Sequence, residues 1–178
     1  MPNYVMNRLK LSGTEEEVKE VMDYIRADNG ERIDFNKIVP IPPHIFTGNL
    51  GREHTALFGD DTWYEWCPMY WGTKWNAMCK DDADKCTEDT IYFQTAWAGI
   101  PKLVYLLSAK FRKVNFHYSY ADEDAGYNCE RYIIVEGFAS DHDKPTDGSK
   151  EAYDLYQSLW NNDSYYWDEE KGEMAYKA

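Results

Sequence analysis

Val5-Met6-Asn7-Arg8-Leu9-Lys10-Leu11-Ser12, running through Gly13 into Thr14-Glu15-Glu16-Glu17-Val18, decides the fold. Val5, Leu9 and Leu11 fall on one side of an extended chain and Met6, Arg8 and Lys10 on the other, the period-two pattern of a half-buried strand. Thr14 followed three residues later by Glu17 is a capping box, in which the hydroxyl and the carboxylate each satisfy a backbone N–H that the first helical turn leaves open. Val18, Val21, Met22 and Ile25 then recur at helical spacing, and Asn29-Gly30 supplies the stop. The chain therefore opens as strand then helix.

The same unit recurs further on. Thr90 to Trp97 alternates with Ile91, Phe93 and Trp97 on one face, and Gly99-Ile100-Pro101 opens a second helix in which the proline presets the first turn. Ile100, Leu103, Val104, Leu107 and Phe111 form its apolar stripe, and Arg112-Lys113 end it. Trp71 to Ala77 also alternates, which predicts a strand paired with Thr90–Trp97 across a charged hairpin loop, Lys80 to Asp89. Val114 to Tyr120 and Arg131 to Gly137 frame an acidic turn, Ala121 to Asn128, as a terminal hairpin. Strand, helix, strand, strand, helix, strand is the split βαβ order of a ferredoxin-like α+β domain, an antiparallel sheet with two helices on one face.

That domain spans residues 1–140, with an irregular insertion at about 40–68. There the run Phe35 to Val39 leads into Pro40-Ile41-Pro42-Pro43 and then into a glycine-bearing segment able to hide short helices around Arg52 to Phe58. Residues 141–178 read as a helical extension. Ala152, Leu155, Tyr156, Leu159 and Trp160 mark a helix over Ser149–Trp160, and the aromatics Tyr165, Tyr166 and Trp167 favour docking of the tail on the same domain.

Composition narrows the function classes. The net charge of −13 repels phosphate backbones and anionic membrane surfaces, so general nucleic-acid binding is disfavoured. An acidic chain with 15 tyrosines and 7 tryptophans suits a protein partner, because these rings join a large apolar body to a polar tip. Cys67, Cys79, Cys86 and Cys129 form no CxxC pair, and no signal-peptide order is visible, so reduced thiols in a cytoplasmic protein are expected. No apolar run reaches the roughly 20 residues that span a bilayer.

Catalytic and metal signatures are missing. His44, His54, His117 and His142 are scattered, and no HExxH, GxSxG or GxxxxGK[ST] pattern occurs, so no metal, no cofactor and no catalytic residue is assigned. The carboxylate runs Asp60-Asp61, Asp81-Asp82 and Asp122-Glu123-Asp124 sit in turn-like segments where solvated charge needs no further cause. One arrangement is sharper. If both helices cover the face holding Val5, Leu9, Phe93 and Phe116, then Arg8, Lys10, Lys74, Asn76, Gln94, Asn115 and His117 share the opposite face. With Trp71, Trp75 and Trp97 nearby, Arg8, Lys74, Asn76, Gln94 and His117 form a candidate site for an anionic or planar ligand. Three readings stay open: a non-catalytic interaction protein acting through an acidic aromatic surface, a small-ligand binder or enzyme using the polar sheet face, and, against the net charge, a specific nucleic-acid binder stacking bases on the open sheet. The sequence leaves the oligomeric state unspecified.

Three blocks carry a resemblance. Met1-Pro2-Asn3-Tyr4-Val5-Met6-Asn7, Trp71-Gly72-Thr73-Lys74-Trp75-Asn76-Ala77 and Phe93-Gln94-Thr95-Ala96-Trp97 before a proline-started helix are together similar to the YubB-like ferredoxin-like family, proteins carried by phages, plasmids and other mobile elements of bacteria. Gly99-Ile100 stands where that family has Ser-Pro, and the hairpin around Cys129-Glu130 and the C-terminal extension differ. The resemblance covers about Met1 to Gly137 and implies a fold and a mobile-element origin, with no reaction or ligand attached.

Overall fold

The computed structural model describes residues 3–79 and 84–177. In chain order its elements are β1 (Tyr4–Ser12), α1 (Glu15–Ile25), α2 (Arg52–Phe58), α3 (Trp63–Tyr70), β2 (Thr90–Ala96), α4 (Pro101–Lys110), β3 (Asn115–Asp122), β4 (Cys129–Val135), β5 (Phe138–Asp143), α5 (Lys150–Trp160), β6 (Tyr165–Asp168) and β7 (Glu173–Tyr176). A five-stranded sheet runs β2-β1-β3-β4-β5 with every pair antiparallel, and β6-β7 form a separate hairpin.

β2, α4 and β3 make a split βαβ unit: β2 and β3 run parallel with β1 between them, antiparallel to both. α1 and α4 cover the face on which Val5, Leu9, Leu11, Phe93, Phe116 and Ile134 are buried together with Val21, Ile25, Leu103 and Leu107. This is the ferredoxin-like α+β architecture that the element order predicts. Thr14 caps α1 with both halves of the capping box formed, and Pro101 occupies the first turn of α4. α1 stops at Ile25 rather than at Asn29-Gly30, because Arg26 is already extended, and α4 stops at Lys110 where Phe111 leaves helical geometry.

The predicted strand over Trp71–Ala77 is absent. That segment is turn and bend, joined to β2 through the Thr73 side chain and, just beyond it, an isolated bridge from Met78 to Gln94. The ladder a strand would have made is instead supplied piecemeal along the outer edge of β2. Thr87 N–H donates to Thr90 O (2.8 Å), and the Cys86 thiol takes the Tyr92 N–H (3.3 Å). Met78 exchanges both backbone bonds with Gln94 (3.0 and 2.8 Å), and the Thr73 hydroxyl accepts from Ala96 N–H and donates to Ala96 O (3.0 and 2.9 Å). An edge strand's unpaired groups must find partners somewhere. Here two side chains, one bridge and one further backbone bond provide them, so a sequence with strand periodicity needs no strand conformation. The expected loop Lys80–Asp89 falls partly at 80–83, outside the described residues, as do the Asp81-Asp82 pair and Met1-Pro2.

Three further departures matter for the site. The insertion holds a second helix, α3, with Trp66 and Cys67 buried. The terminal hairpin is followed by a fifth strand, β5, which carries the sheet past Gly137 to Asp143. The extension contains α5 as read from its apolar spacing, and beyond it the β6-β7 hairpin. α5 lies on the sheet face opposite α1 and α4, where Leu155, Tyr156 and Leu159 pack on Met6, Ala121 and Cys129. This is why Met6, on the outward side of β1, is as buried as its inward neighbours.

Candidate functional site

α5 covers only half of that second face. The antiparallel registers lay the other half out in two cross-strand rows. The first reads Tyr92, Arg8, Ser119, Arg131, Asp143 from β2 to β5; the second reads Thr90, Lys10, His117, Ile133, Asp141. With neighbouring strands about 4.8 Å apart, Arg8 and Arg131 stand roughly 10 Å from each other with Ser119 between them. Arg8 Nη2 donates to Ser119 Oγ (3.1 Å), and Arg131 Nη2 pairs with Asp143 (2.7 Å). Arg8 and Lys10 have no ion pair among the described residues. A depression of about 790 Å³ lies over the rows, and Lys85, whose ammonium stands 5.8 Å from the Tyr92 ring, closes one side.

The eight residues singled out from sequence separate into five places. Arg8 and His117 line the depression. Gln94 shares that sheet face but sits in the row with Met6 and Ala121, at the end where α5 packs. Trp71 is a core residue, in edge contact with Phe35 and Trp66, its Nε1–H donating to Val39 O (2.8 Å). Asn76 is on the helix side: its Oδ1 accepts from Phe35 N–H (2.9 Å) and its Nδ2 donates to Asp34 (2.6 Å), which fastens the start of the insertion. Placing Lys74, Asn76 and Asn115 with Arg8 assumed a regular strand at 71–77 and a closed row; without that strand the first two leave the face, and Asn115 pairs with Ser12 at the sheet's far end.

Lys74, Trp75 and Trp97 form a cluster of their own. The Lys74 ammonium stands 4.9 Å from the Tyr64 ring, 5.5 Å from Trp75 and 4.9 Å from Trp97. Each such contact contributes about 0.5–2 kcal/mol according to its desolvation. The three rings therefore clasp α3 to the end of β2. Trp97 takes φ +70, a left-handed conformation costly for a bulky side chain. Two bonds hold it there: its own N–H to Asn3 O (3.0 Å), and Asn128 Nδ2 to its carbonyl (3.1 Å).

Sequence reading missed a buried polar network on the helix side. Asn7 shares the face of Val5 and Leu9 and is fully buried. Its Nδ2 donates to Val5 O and Thr95 Oγ1 (both 2.9 Å), while its Oδ1 accepts from the Tyr118 hydroxyl (2.5 Å). That hydroxyl in turn accepts from Ile100 N–H (2.6 Å), at the start of α4. Next to it, Glu130 takes hydrogen bonds from Tyr132 and Lys144 (3.0 Å to the latter) and lies 3.0 Å from His142 Nε2. Burial alone would raise the Glu130 carboxyl, but the bonds from Tyr132, Lys144, His142 and Tyr120 outweigh it and hold the group down at about 2. Burial, then that carboxylate, pushes the Tyr120 phenol well up, and Tyr132 likewise. The available signal was a lone asparagine within an apolar alternation. Of the carboxylate run Asp122-Glu123-Asp124, the last two are exposed as expected, whereas the Asp122 side chain is buried between Asn3 and Asn128.

All four cysteines are free thiols. Burial pushes Cys67 and Cys79 up to about 11 and Cys129 to about 12, away from thiolate chemistry at neutral pH. Among the described residues no helix is long and apolar enough to cross a membrane, and no group of histidines, cysteines and carboxylates is arranged to hold a metal ion.

Comparison with known proteins gives a family match. No curated protein and no solved structure matches the chain. A family model described as the ferredoxin-like domain in Api92-like protein matches residues 74–171, from the Lys74 clasp through β2, the whole right side of the sheet and α5 to the tail hairpin. That stretch is more than half of the 178 residues and contains the βαβ unit, both cross-strand rows except for their β1 members, and the helix that halves the open face. The chain thus belongs to the family of ferredoxin-like domains of Api92-like proteins.

Proposed function

We propose that this domain is a binding module whose open half-sheet takes a compact anionic ligand, such as a phosphate ester. One observation carries the reading: in a chain of net charge −13, Arg8, Lys10, Arg131 and His117 meet over one depression whose lining, among the described residues, includes the carboxylate of Asp141, with Asp143 paired to Arg131 beside it. Concentrating like charge in an acidic protein is unfavourable unless an anion offsets it. Two guanidinium forks set on rigid neighbouring strands suit the bidentate capture of phosphate or carboxylate oxygens. The Tyr92 ring beside Arg8 offers a planar ligand a stacking surface. The groups supplied here bind and orient, which favours recognition over reaction. The resemblance to mobile-element proteins supplies the setting we favour, a bacterial cytoplasm into which a phage or plasmid brings the gene.

The test is thermal unfolding with inorganic phosphate, ribose 5-phosphate and adenosine monophosphate. A probe at 100 times its Kd adds about 2.7 kcal/mol, or roughly 5–10 °C in a domain of this size. The shift should vanish in the Arg8→Ala, Arg131→Ala double variant. Absence of any shift at millimolar concentrations, or a shift the double variant keeps, would sink the reading.

A further inference from the structure

A second surface lies at the other end of the sheet, where the β3-β4 turn meets the tail hairpin. Two hollows of about 180 and 300 Å³ lie side by side there and share Ala125, Tyr127 and Met174 as lining. Trp167 adds its ring to the first and Tyr165 to the second, so the floor is aromatic and thioether. Tyr127 is 49% exposed in spite of its size, and Trp97, 44% exposed, follows one hydrogen bond away through Asn128.

The rim is acidic. Glu173 lines the first hollow and Asp124 the second, and Asp147 stands on the Asn128 amide beside them (3.2 Å). Glu123, Asp124, Asp147 and Glu173 make no ion pair among the described residues. A cation of the chain's own already reaches this surface: Lys150 stands 5.9 Å from the Trp167 ring and is tied to Asp154 and Glu169 at 3.5 and 3.6 Å. The seam thus already accepts an ammonium over an aromatic ring, and its exposed carboxylates leave charge for another.

From this complementarity we infer that the seam is a docking seat for an extended segment of a partner protein that carries an arginine or lysine beside an aliphatic or aromatic residue. The apolar stem of the basic side chain lies along Met174 and the tyrosine rings, and its head reaches Asp124 or Glu173, the arrangement that long cationic side chains adopt at apolar surfaces ringed by acid. Aromatic anchors with a charged rim are the usual composition of a protein-binding hot spot. The inference goes beyond the sheet-face reading and does not depend on it.

The experiment selects phage-displayed random 12-mer peptides on the full chain and measures the enriched peptides by fluorescence anisotropy. Enrichment of a basic residue next to an aliphatic or aromatic one is expected. Affinity should fall at least tenfold in the Asp124→Lys, Glu173→Lys double variant and in Tyr127→Ala, whose melting temperatures confirm folding, and should stay unchanged in Arg8→Ala. Enrichment of peptides without a basic residue, failure to enrich any consensus, or equal affinity for wild type and both seam variants would overturn the proposal.

Discussion

Replacing Tyr118 by Phe removes one oxygen from the centre of the fold. The ring is 1% exposed, so the apolar contacts survive and only the hydroxyl is lost. Two buried groups then lose their partner: Asn7 Oδ1, which accepted the phenol proton at 2.5 Å, and Ile100 N–H, which donated to the phenol oxygen at 2.6 Å. An unsatisfied buried polar group costs about 1–3 kcal/mol, so the pair should cost about 2–6 kcal/mol, a large share of the 5–15 kcal/mol of a typical domain. At this size that is about 4–24 °C in melting temperature. Because the ring stays in place, the expected far-UV circular dichroism at 20 °C is that of wild type, with the loss confined to the thermal and urea midpoints. Asn7→Ala tests the assignment further: in a double-mutant cycle the two changes should couple by at least about 1 kcal/mol, since they share one bond. A Tyr118→Phe variant within about 1 kcal/mol of wild type, or strict additivity with Asn7→Ala, would refute the argument that the network holds β1, β3 and the start of α4 together.

Two other expectations concern stability. A methyl group at Gly99 would stand 2.3 Å from Tyr120 Cδ1 and 2.5 Å from its Cγ, so Gly99→Ala should destabilise by about 3 kcal/mol; unchanged thermal melting would show that the ring has room to move. Glu130 sits at about 2 against an ordinary 4.5, so its charged form is favoured by folding. The stabilisation, on the order of 3 kcal/mol, is present above the ordinary carboxyl range and drains away as pH falls from about 4.5 toward 2. Urea midpoints measured from pH 6 to pH 2.5 should fall more steeply for wild type than for Glu130→Gln, and parallel curves would remove Glu130 from the acid response.

Where periodicity and end signals agree, the sequence is legible. Thr14 with Glu17 and Ser149 before Ala152 fixed two helix starts, and Pro101 a third, because each satisfies or dispenses with a backbone donor in a way no other local structure needs. Trp71–Ala77 misled because alternation records which side chains are buried, and Trp71, Thr73 and Ala77 are buried without a ladder. α3 stayed hidden behind Pro68, which reads as a helix breaker, although it sits within the helix. At the site, Arg8 and His117 could be placed because β1 and β3 are regular strands. Arg131 could not, since only the pairing Arg8 to Ser119 to Arg131 brings it beside Arg8, and register between distant strands leaves no local mark.

The piecemeal covering of β2 makes the sheet one-sided as a building block. Thr73, Met78 and Cys86 occupy its outer groups, while β5 at the opposite margin is exposed along nearly its whole length. Edge-to-edge addition to the five-stranded sheet, among the described residues, therefore begins at β5. Two copies joined through β5 would share a two-fold axis and present only stoppered margins outward, so that pairing closes on itself as a dimer and leaves no template for a fibre.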